Sequence, residues 1–329
     1  MPRFDMNLQT KRDAASGCRR GCWQALRKRH ALAAVRVFAV FALLLTLLAP
    51  EACGPPRRDR IVVGSKNFTE QAVLGEIIAQ YLERRTGLYV ERRFYLAGTY
   101  ICQQAILAGR IDIYPEYTGT ALTAILKQPT TGDPSEVYAQ VEQAYARRFH
   151  LDVMPPLGFN NTFALVIRSD DARRLGLKTI SDLARVAPQW RPGFGYEFME
   201  RPDGYHGLVK AYGLKFGAEP RIMDLGLLYR ALINHEVDVV AGNSTDGLIE
   251  ALGLTVLDDD RHYFPPYQAV PVVRQMTLRL HPKVGQALQD LAGKITEDDM
   301  RRMNYDVDGR HEDVVDVARR FLDTTMNGK

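Results

Sequence analysis

The stretch AILAGRID, residues 105–112, decides how this chain is built, because it returns in altered form as ALINHEVD at residues 231–238. Each copy is typical of a helix end, a turn and the start of a buried strand, with an aspartate seven residues after the alanine. Five residues beyond the two aspartates stand Tyr117 and Asn243. If the copies are equivalent, these side chains lie at the carboxyl ends of comparable strands, where open α/β sheets bind ligands. The competing interpretation is a chance likeness between two helix-strand units.

Short apolar runs alternate with longer amphipathic segments from Arg60 onward. The run IVVGS at residues 61–65 predicts a strand, and residues 70–86 predict a helix that ends at Gly87. Further strands are predicted at residues 163–168, 237–242 and 269–273, and further helices near residues 134–149, 225–235, 283–291 and 312–322. This alternation predicts an α/β fold with a mainly parallel sheet, and a length of about 270 residues favours two lobes over one.

The composition is that of a globular protein, because 46% of the 329 residues are hydrophobic and 25% are charged. The net charge of +4 comes from the amino-terminal part: nine of the 43 Lys and Arg residues, but only three of the 39 Asp and Glu residues, precede Cys53. The remainder carries 34 basic and 36 acidic residues. Binding to nucleic-acid phosphates requires a basic surface on the folded body, so no nucleic-acid partner is expected.

An apolar segment near the amino terminus predicts export. Residues 37–49 read VFAVFALLLTLLA and follow a basic run, a pattern typical of a signal peptide over residues 1–52. These 13 residues are fewer than the roughly 20 that a spanning helix needs, so a permanent transmembrane anchor is the weaker alternative. A long polar stretch precedes the segment, and Met6 is an alternative start.

Cys53 follows the apolar segment and begins a short tether, residues 53–59, that is rich in proline. Its position resembles that of the acylated cysteine in bacterial lipoproteins, which would anchor the exported chain to a membrane. Pro50 and Glu51 depart from the aliphatic and small residues usual before such a cysteine, so ordinary cleavage stays open. After removal of the leader only Cys53 and Cys102 are left, which favours neither a metal site nor a disulfide framework.

Motifs for enzymatic chemistry are absent or incomplete, so an enzyme is not expected. The run GNSTD at residues 242–246 lacks the second glycine of a nucleophile elbow, and no Gly-rich phosphate loop of either common kind occurs. The run NYDVDG at residues 304–309 looks like the start of a calcium loop, but Val315 replaces the bidentate glutamate, and a solvated loop is the better interpretation. We therefore predict no metal and no cofactor.

Aromatic residues near turns offer a different chemistry. Tyr117, Phe163, Tyr263, Phe264 and Tyr267 all stand close to predicted strand ends or turns, where packing is the ordinary explanation for a single ring. Several rings together can enclose a quaternary ammonium, which has no proton to donate and binds through aromatic faces. Each face contributes roughly 0.5–2 kcal/mol when desolvated.

Six motifs in order resemble the substrate-binding proteins of osmoprotectant ABC importers, the binders of glycine betaine, choline and carnitine in quaternary-amine uptake. They are GSKNFTEQ (64–71), IDIYPEYTGT (111–120), FNNTFAL (159–165), ERPDG (200–204), VDVVAGNSTDG (237–247) and DDDRHYFPPY (258–267). The likeness extends over residues 61–322, and six ordered motifs are far more specific than any one of them.

The resemblance implies a type II periplasmic binding protein fold, in which two α/β lobes close on a ligand about a hinge. Residues 60–158 and 268–329 would form the first lobe, and residues 159–267 the second. The chain would then be a monomeric receptor in the periplasm or at the outer face of the inner membrane. It would deliver a quaternary-amine compound to an ABC permease and its ATPase without transforming it chemically.

The resemblance also implies which residues bind the ligand. In the family, a lysine, a threonine and an arginine of these motifs hold the ligand carboxylate, and they match Lys66, Thr120 and Arg201. A charge-assisted donor set of this kind suits a carboxylate. Four tyrosines form the family's cage around the ammonium group, and two of these positions match as Tyr117 and Tyr267.

Two cage positions depart from the family pattern. Phe163 keeps the ring and loses the hydroxyl, whereas Asn243 has no π face, which should cost roughly 1 kcal/mol for a simple trimethylammonium group. We therefore expect either weak binding of glycine betaine or a larger betaine, such as ergothioneine, whose polar group contacts Asn243 or Asn161. A neighbouring aromatic side chain such as Tyr205 could instead complete the wall.

Two functions of other classes stay open. One is an exported enzyme on the same scaffold, since fold does not determine function. The other is a ligand-sensing module that signals to a membrane partner. The predicted cleft residues include no nucleophile paired with a base, which disfavours the enzyme.

Overall fold

The computed structural model describes residues 60–129 and 132–326. The predicted signal peptide and tether, with Cys53, lie outside the described residues. The strands of the described part are β1 (Arg60–Gly64), β2 (Tyr89–Arg93), β3 (Ile113–Tyr117), β4 (Leu151–Val153), β5 (Phe163–Arg168), β6 (Pro192–Phe194), β7 (Arg221–Ile222), β8 (Val239–Asn243), β9 (Leu254–Val256) and β10 (Ala269–Arg274). They form two five-stranded sheets, a first sheet ordered β2-β1-β3-β10-β4 and a second sheet ordered β7-β6-β8-β5-β9.

The two sheets share one pairing pattern. In the first sheet β1 runs parallel to β2 and β3, whereas β10 is antiparallel to β3 and β4. In the second sheet β6 runs parallel to β7 and β8, whereas β5 is antiparallel to β8 and β9. The predicted α/β fold is confirmed, with one reversed strand in each sheet. The reversed strands, β5 and β10, are those that the chain enters as it crosses from the other sheet.

Helices cover both faces of each sheet. They are α1 (Thr69–Thr86), α2 (Thr99–Leu107), α3 (Thr118–Thr120), α4 (Pro134–Phe149), α5 (Ser169–Leu175), α6 (Tyr196–Glu200), α7 (Tyr205–Tyr212), α8 (Leu228–Ile233), α9 (Leu248–Ala251), α10 (Gln275–Leu280), α11 (Pro282–Asp290), α12 (Glu297–Asp308) and α13 (Val314–Thr325). A π-helical turn, Ala121–Ile125, continues α3, and 3-10 turns occupy Ser181–Arg185, Ala187–Gln189 and Leu225–Leu227. None of these described helices is both long and apolar enough to cross a membrane.

Alternate residues of the central strands feed cores on opposite sides of each sheet. In β1, Ile61 and Val63 belong to one core and Val62 to another. In β5, Leu165 belongs to one core and Val166 to another. This period of two is the expected consequence of strand geometry when helices cover both faces.

The first predicted helix is confirmed. Helix α1 ends at Gly87, which adopts the left-handed conformation with φ of 71° and so allows the stop. All six residues of the predicted apolar face are buried, namely Val73, Leu74, Ile77, Ile78, Tyr81 and Leu82. The helix also buries three polar residues that this periodicity does not predict, Glu70, Gln71 and Glu76.

The predicted solvated loop at residues 304–309 is wrong. Residues 304–308 form the last turns of α12, where Asn304 and Asp306 are buried. The helix begins at a capping box in which the Thr296 side chain and the Asp299 side chain each accept from the other's backbone N–H. Three acidic residues in its first turn favour the helix further, a signal that outweighs the resemblance to a calcium loop.

Two chain segments cross between the sheets side by side. Asn160 and Gln268 pair in an isolated antiparallel bridge. The N–H of Tyr267 donates to Oδ1 of Asn160 at 2.6 Å, and the N–H of Asn161 donates to the carbonyl oxygen of Tyr267 at 3.0 Å. The predicted lobe boundaries, 158/159 and 267/268, fall in these segments, and the division into lobes stays a prediction.

The internal repeat is present in three dimensions. Strands β3 and β8 each occupy the centre of a sheet. Before β3, Asp112 accepts the N–H of Val62 at 3.0 Å and returns its own N–H to the Val62 carbonyl at 2.8 Å. Before β8, Asp238 makes the same reciprocal pair with Arg191, at 3.0 and 2.8 Å. Identical bonds at equivalent positions favour a true repeat over a chance likeness.

Candidate functional site

One cavity between the two sheets brings together every binding residue predicted from the sequence. It measures about 50 Å³. These residues line it: Lys66, Tyr117, Thr120, Asn161, Phe163, Arg201, Asn243 and Tyr267. Several of them meet because they end or follow a strand at the edge that faces the other sheet, as Lys66 follows β1, Tyr117 ends β3 and Asn243 ends β8.

The first sheet contributes a buried cation and a ring. The side chain of Lys66 is 2% exposed and forms a salt bridge with Glu116, which is 0% exposed. Its Nζ also lies 4.9 Å from the centroid of the Tyr117 ring. Burial raises the pKa of Tyr117 well above its usual value, so the phenol stays protonated and can donate a hydrogen bond.

The second sheet contributes another buried cation. Arg201 pairs with Asp203 through two contacts, Nε to Oδ1 at 2.9 Å and Nη2 to Oδ2 at 2.5 Å. Burial opposes ionisation of Asp203, but Arg201 outweighs it and holds the pKa of that carboxyl below its usual value. Oδ2 of Asp203 also accepts from the hydroxyls of Tyr267 at 2.6 Å and Thr123 at 2.8 Å. Asp203 thereby connects side chains that flank both sheets.

A side-chain cation of the protein already lies on each of the three predicted cage rings. The guanidinium carbon of Arg201 is 4.7 Å from the centroid of Phe163 and 5.6 Å from that of Tyr267, while Lys66 lies on Tyr117. A ligand ammonium therefore has to use the remaining ring faces. A ligand carboxylate has to share each cation with an acidic residue that is already bound to it.

The fourth wall of the cavity is an amide backed by a carboxylate. The N–H and Nδ2 of Asn243 donate to Asp246 at 2.9 and 3.4 Å, and the Tyr229 hydroxyl donates to the same carboxylate at 2.6 Å. Burial raises the pKa of Asp246 to about 6. A second cavity of about 640 Å³ shares Phe68, Leu225 and Asn243 with the first. Asn243 thus borders both cavities, together with Phe68 and Leu225.

Comparison with known protein families matches residues 59–324 to the substrate binding domain of the ABC-type glycine betaine transport system. The chain belongs to this family. It is therefore a substrate-binding component of an ABC transport system and not an enzyme, as the six motifs predict.

Individual relatives agree with this assignment. The chain is 35% identical over 283 residues to the carnitine transport binding protein OpuCC of Listeria monocytogenes, covering 85% of this chain and 92% of the relative. It is 34% identical over 294 residues to the ergothioneine transport permease/ergothioneine binding protein EgtU of Helicobacter pylori, covering 88% of this chain and 52% of that one. A solved structure described as a glycine betaine/carnitine/choline ABC transporter superposes with a TM-score of 0.67 at 33% identity, covering 80% of this chain and 98% of that one. The predicted type II periplasmic binding fold is confirmed.

Sequence reasoning missed five further residues of the substrate-binding protein's cavity: Phe68, Glu197, Phe198, Leu225 and Ala241. Phe68 stacks on Tyr117 with centroids 6.5 Å apart and an interplanar angle of 18°. Its place within GSKNFTEQ was a usable signal. Tyr205 does not complete the wall, because it does not line the cavity and packs on Phe194 at 5.3 Å instead.

The most connected side chain beside the cavity, Glu70, was also missed. Its carboxylate is 1% exposed and accepts from Tyr117 OH at 2.6 Å, Asn161 Nδ2 at 2.8 Å, Thr245 Oγ1 at 2.5 Å and Asn304 Nδ2 at 3.1 Å. Burial raises its pKa above the usual value. No Lys, Arg or His of residues 60–129 and 132–326 forms a salt bridge with it by the contacts described. Its carboxylate is held by these four neutral hydrogen-bond donors instead.

Cysteine and metal chemistry are not offered by the described residues. Cys102 is buried and unpaired, and burial raises the pKa of its thiol to about 12, which makes it a poor nucleophile. Across residues 60–129 and 132–326, no group of three or more His, Cys, Asp or Glu side chains could hold a metal ion.

Proposed function

We propose that this substrate-binding protein captures a zwitterionic quaternary-ammonium compound outside the cytoplasm and delivers it to an ABC permease and its ATPase. The observation that carries the proposal is the meeting of two buried cations and three aromatic rings, drawn from both sheets, on one cavity. Cations suit the acidic end of such a ligand, and ring faces suit an ammonium that cannot donate a hydrogen bond.

The carboxylate of the ligand would bind between Lys66, Thr120 and Arg201. Both cations are buried, so an incoming anion would meet them at low effective dielectric, where the attraction is strong. Glu116 and Asp203 hold the two cations in place before the ligand arrives. Such pre-organisation lowers the entropic cost of binding.

The ammonium group would lie against Tyr117, Phe163 and Tyr267. Because these residues flank different sheets, binding would favour the closed arrangement of the two lobes over an open one. A permease can distinguish the surface of the closed, ligand-bound receptor from that of the ligand-free receptor. Acylation of Cys53 would keep the receptor at the membrane and belongs to this proposal.

A larger betaine is the second candidate, favoured by the cavity that adjoins Asn243. Glycine betaine would leave that space of about 640 Å³ unfilled. A ligand with a longer substituent could pass Asn243 and enter it. The relatives named for carnitine and for ergothioneine are consistent with such a ligand.

Calorimetric titration of the wild type and Arg201→Ala with glycine betaine, carnitine, ergothioneine and choline tests the proposal. We expect the substitution to weaken the three zwitterions tenfold or more, and choline, which has no carboxylate, by less. Arg261→Ala is the matched control, because Arg261 also stacks on a ring, Tyr212 at 5.0 Å, but does not line the cavity. Unchanged affinity in Arg201→Ala would refute the carboxylate assignment, and no binding of any of the four by wild type would refute the proposed function.

A further inference from the structure

One hydrogen-bond acceptor beside the cavity has no donor among the described residues. Asn161 lines the cavity and is 6% exposed, and its Nδ2 donates to Glu70 at 2.8 Å. Its other amide atom, Oδ1, is buried and has no hydrogen-bond partner among residues 60–129 and 132–326. Buried polar atoms in native proteins nearly always have partners, so an orphan acceptor beside a ligand cavity points to a partner on the ligand.

Glu70 determines which way this amide faces. A carboxylate offers only acceptors, and Glu70 is surrounded by four donors. Turning the Asn161 amide over would place Oδ1 against the carboxylate, acceptor against acceptor. Nδ2 therefore has to face Glu70, and Oδ1 is the atom left over.

We infer that Oδ1 of Asn161 accepts a hydrogen bond from the bound solute, so that the site selects a betaine that carries an O–H or N–H group besides its quaternary ammonium. The inference rests on the proposed function and narrows its ligand class. Glycine betaine has no such donor and would leave the acceptor unsatisfied. A hydroxylated or heteroaromatic betaine would satisfy it.

Asn243 adds a second acceptor on the cavity wall. Its N–H and Nδ2 both donate to Asp246, which leaves its Oδ1 without a donor from that carboxylate. Two amides from different segments are thus each held by a carboxylate through their nitrogen atoms. In each amide the oxygen is the atom that the carboxylate does not hold, and an amide oxygen can only accept a hydrogen bond.

Glu70 acts here as a positioning residue. It does not line the small cavity, but it holds Tyr117 and Asn161, which do. Thr245 beyond β8 and Asn304 in α12 hold Glu70 in turn. The orientation of one amide therefore depends on segments from both sheets.

Two probes that differ by a single hydroxyl test the inference: L-carnitine and γ-butyrobetaine, which share the trimethylammonium, the chain length and the carboxylate. We expect the wild type to bind L-carnitine at least fivefold more tightly by calorimetry, because only the hydroxyl satisfies Asn161. In Asn161→Ala the ratio of the two dissociation constants should fall to near one.

Asn234→Ala is the matched control. It removes the same amide group at an exposed position that neither lines the cavity nor donates to Glu70. This substitution should leave the ratio of the two dissociation constants intact. Glu70→Gln, which can donate as well as accept, should release the Asn161 amide and reduce the ratio without loss of the fold.

The titrations with the two probes can overturn the inference in two ways and the proposed function in one. Equal affinities in the wild type would mean that water satisfies Oδ1, and the inference would be wrong while the proposed function stood. A preference that survives Asn161→Ala would assign the hydroxyl to another residue and overturn the inference as well. If neither probe binds, and glycine betaine, choline and ergothioneine fail too, the proposed function itself fails.

Discussion

The central strands of the two sheets, β3 and β8, are built alike at one end and differently at the other. At the amino ends, Asp112 and Asp238 form the same reciprocal backbone pair with the neighbouring strand. An arginine at the end of the reversed strand adds a charge contact in both sheets: Arg274 at 3.4 Å from Asp112, and Arg168 at 2.9 Å from Asp238.

At the carboxyl ends the likeness stops. Strand β3 ends in Tyr117, whose hydroxyl reaches Glu70 at 2.6 Å, whereas β8 ends in Asn243, whose N–H reaches Asp246 at 2.9 Å. A carboxylate supports both ends, but one presents a ring and the other an amide. The comparison teaches that the repeat keeps what holds a sheet together and varies what faces the ligand. Tyr117 and Asn243 still pair with the reversed strands through their backbones, but both residues line the cavity.

The largest effect is expected from removing the aspartate that pairs with the neighbouring strand at the amino end of β3 or β8. Asp238→Ala should lower the free energy of unfolding by about 3 kcal/mol. The substitution leaves three donors without their carboxylate partner: the side chain of Arg168, the side chain of Arg191 and the backbone N–H of Arg191. Asp112→Ala should cost less, about 2 kcal/mol, because its contact with Arg274 is longer. Urea unfolding measures both. A loss at Asp112 equal to or larger than that at Asp238 would contradict the ranking.

A smaller effect is expected from making the carboxyl ends of β3 and β8 alike. Asn243→Tyr should raise the affinity for glycine betaine about fivefold, close to 1 kcal/mol, by adding a fourth ring face. Calorimetric titration measures it, with Asn234→Tyr on an exposed helix end as the control. No gain, with the fold intact, would show that Phe68 and Phe198 already complete the cage.

The smallest effect concerns the carboxylate behind Asn243. Burial raises the pKa of Asp246 to about 6, so between pH 4 and 6 the folded protein holds a proton that the unfolded chain has released. Its contribution to stability therefore falls as pH rises through that window. Between pH 4 and 6.5, the free energy of unfolding of Asp246→Asn should rise by about 0.5–1 kcal/mol relative to that of the wild type. This figure allows for partial solvent screening.

Thermal unfolding of both proteins across that range measures the difference. The carboxylate of Glu70 contributes to the raised pKa of Asp246, so the difference reports the two carboxylates as an interacting pair. A difference that stays flat with pH would mean that Asp246 is ionised throughout.

Local pattern in the sequence predicts most of the framework. The strand predicted at 163–168 and the helix predicted at 134–149 match β5 and α4 residue for residue, because alternation and helical periodicity are properties of neighbours along the chain. Gly87 marks the end of α1 for an equally local reason, its positive φ. The six motifs led to the family, which the comparisons confirm.

Other local predictions were shifted or wrong where tertiary contacts intervene. The helix predicted at 225–235 is a 3-10 turn followed by α8, and the strand predicted at 237–242 begins two residues later, because Asp238 is occupied by its pair with Arg191. The reversal of β5 and β10 is likewise invisible to periodicity, which does not encode strand direction.

The sequence by itself determined the fold class, the transport family and the residues that the motifs name around the cavity. Only the tertiary structure decided that Glu70 is buried and that Asn161 presents an unsatisfied oxygen, because the partners of Glu70 lie as far as 234 residues away in the chain. A window of helical period covers the neighbours three and four residues apart, and on that scale Glu70 is an ordinary acidic residue in the first turn of a helix. Its surroundings exist only once both sheets, the crossing segments and α12 have come together.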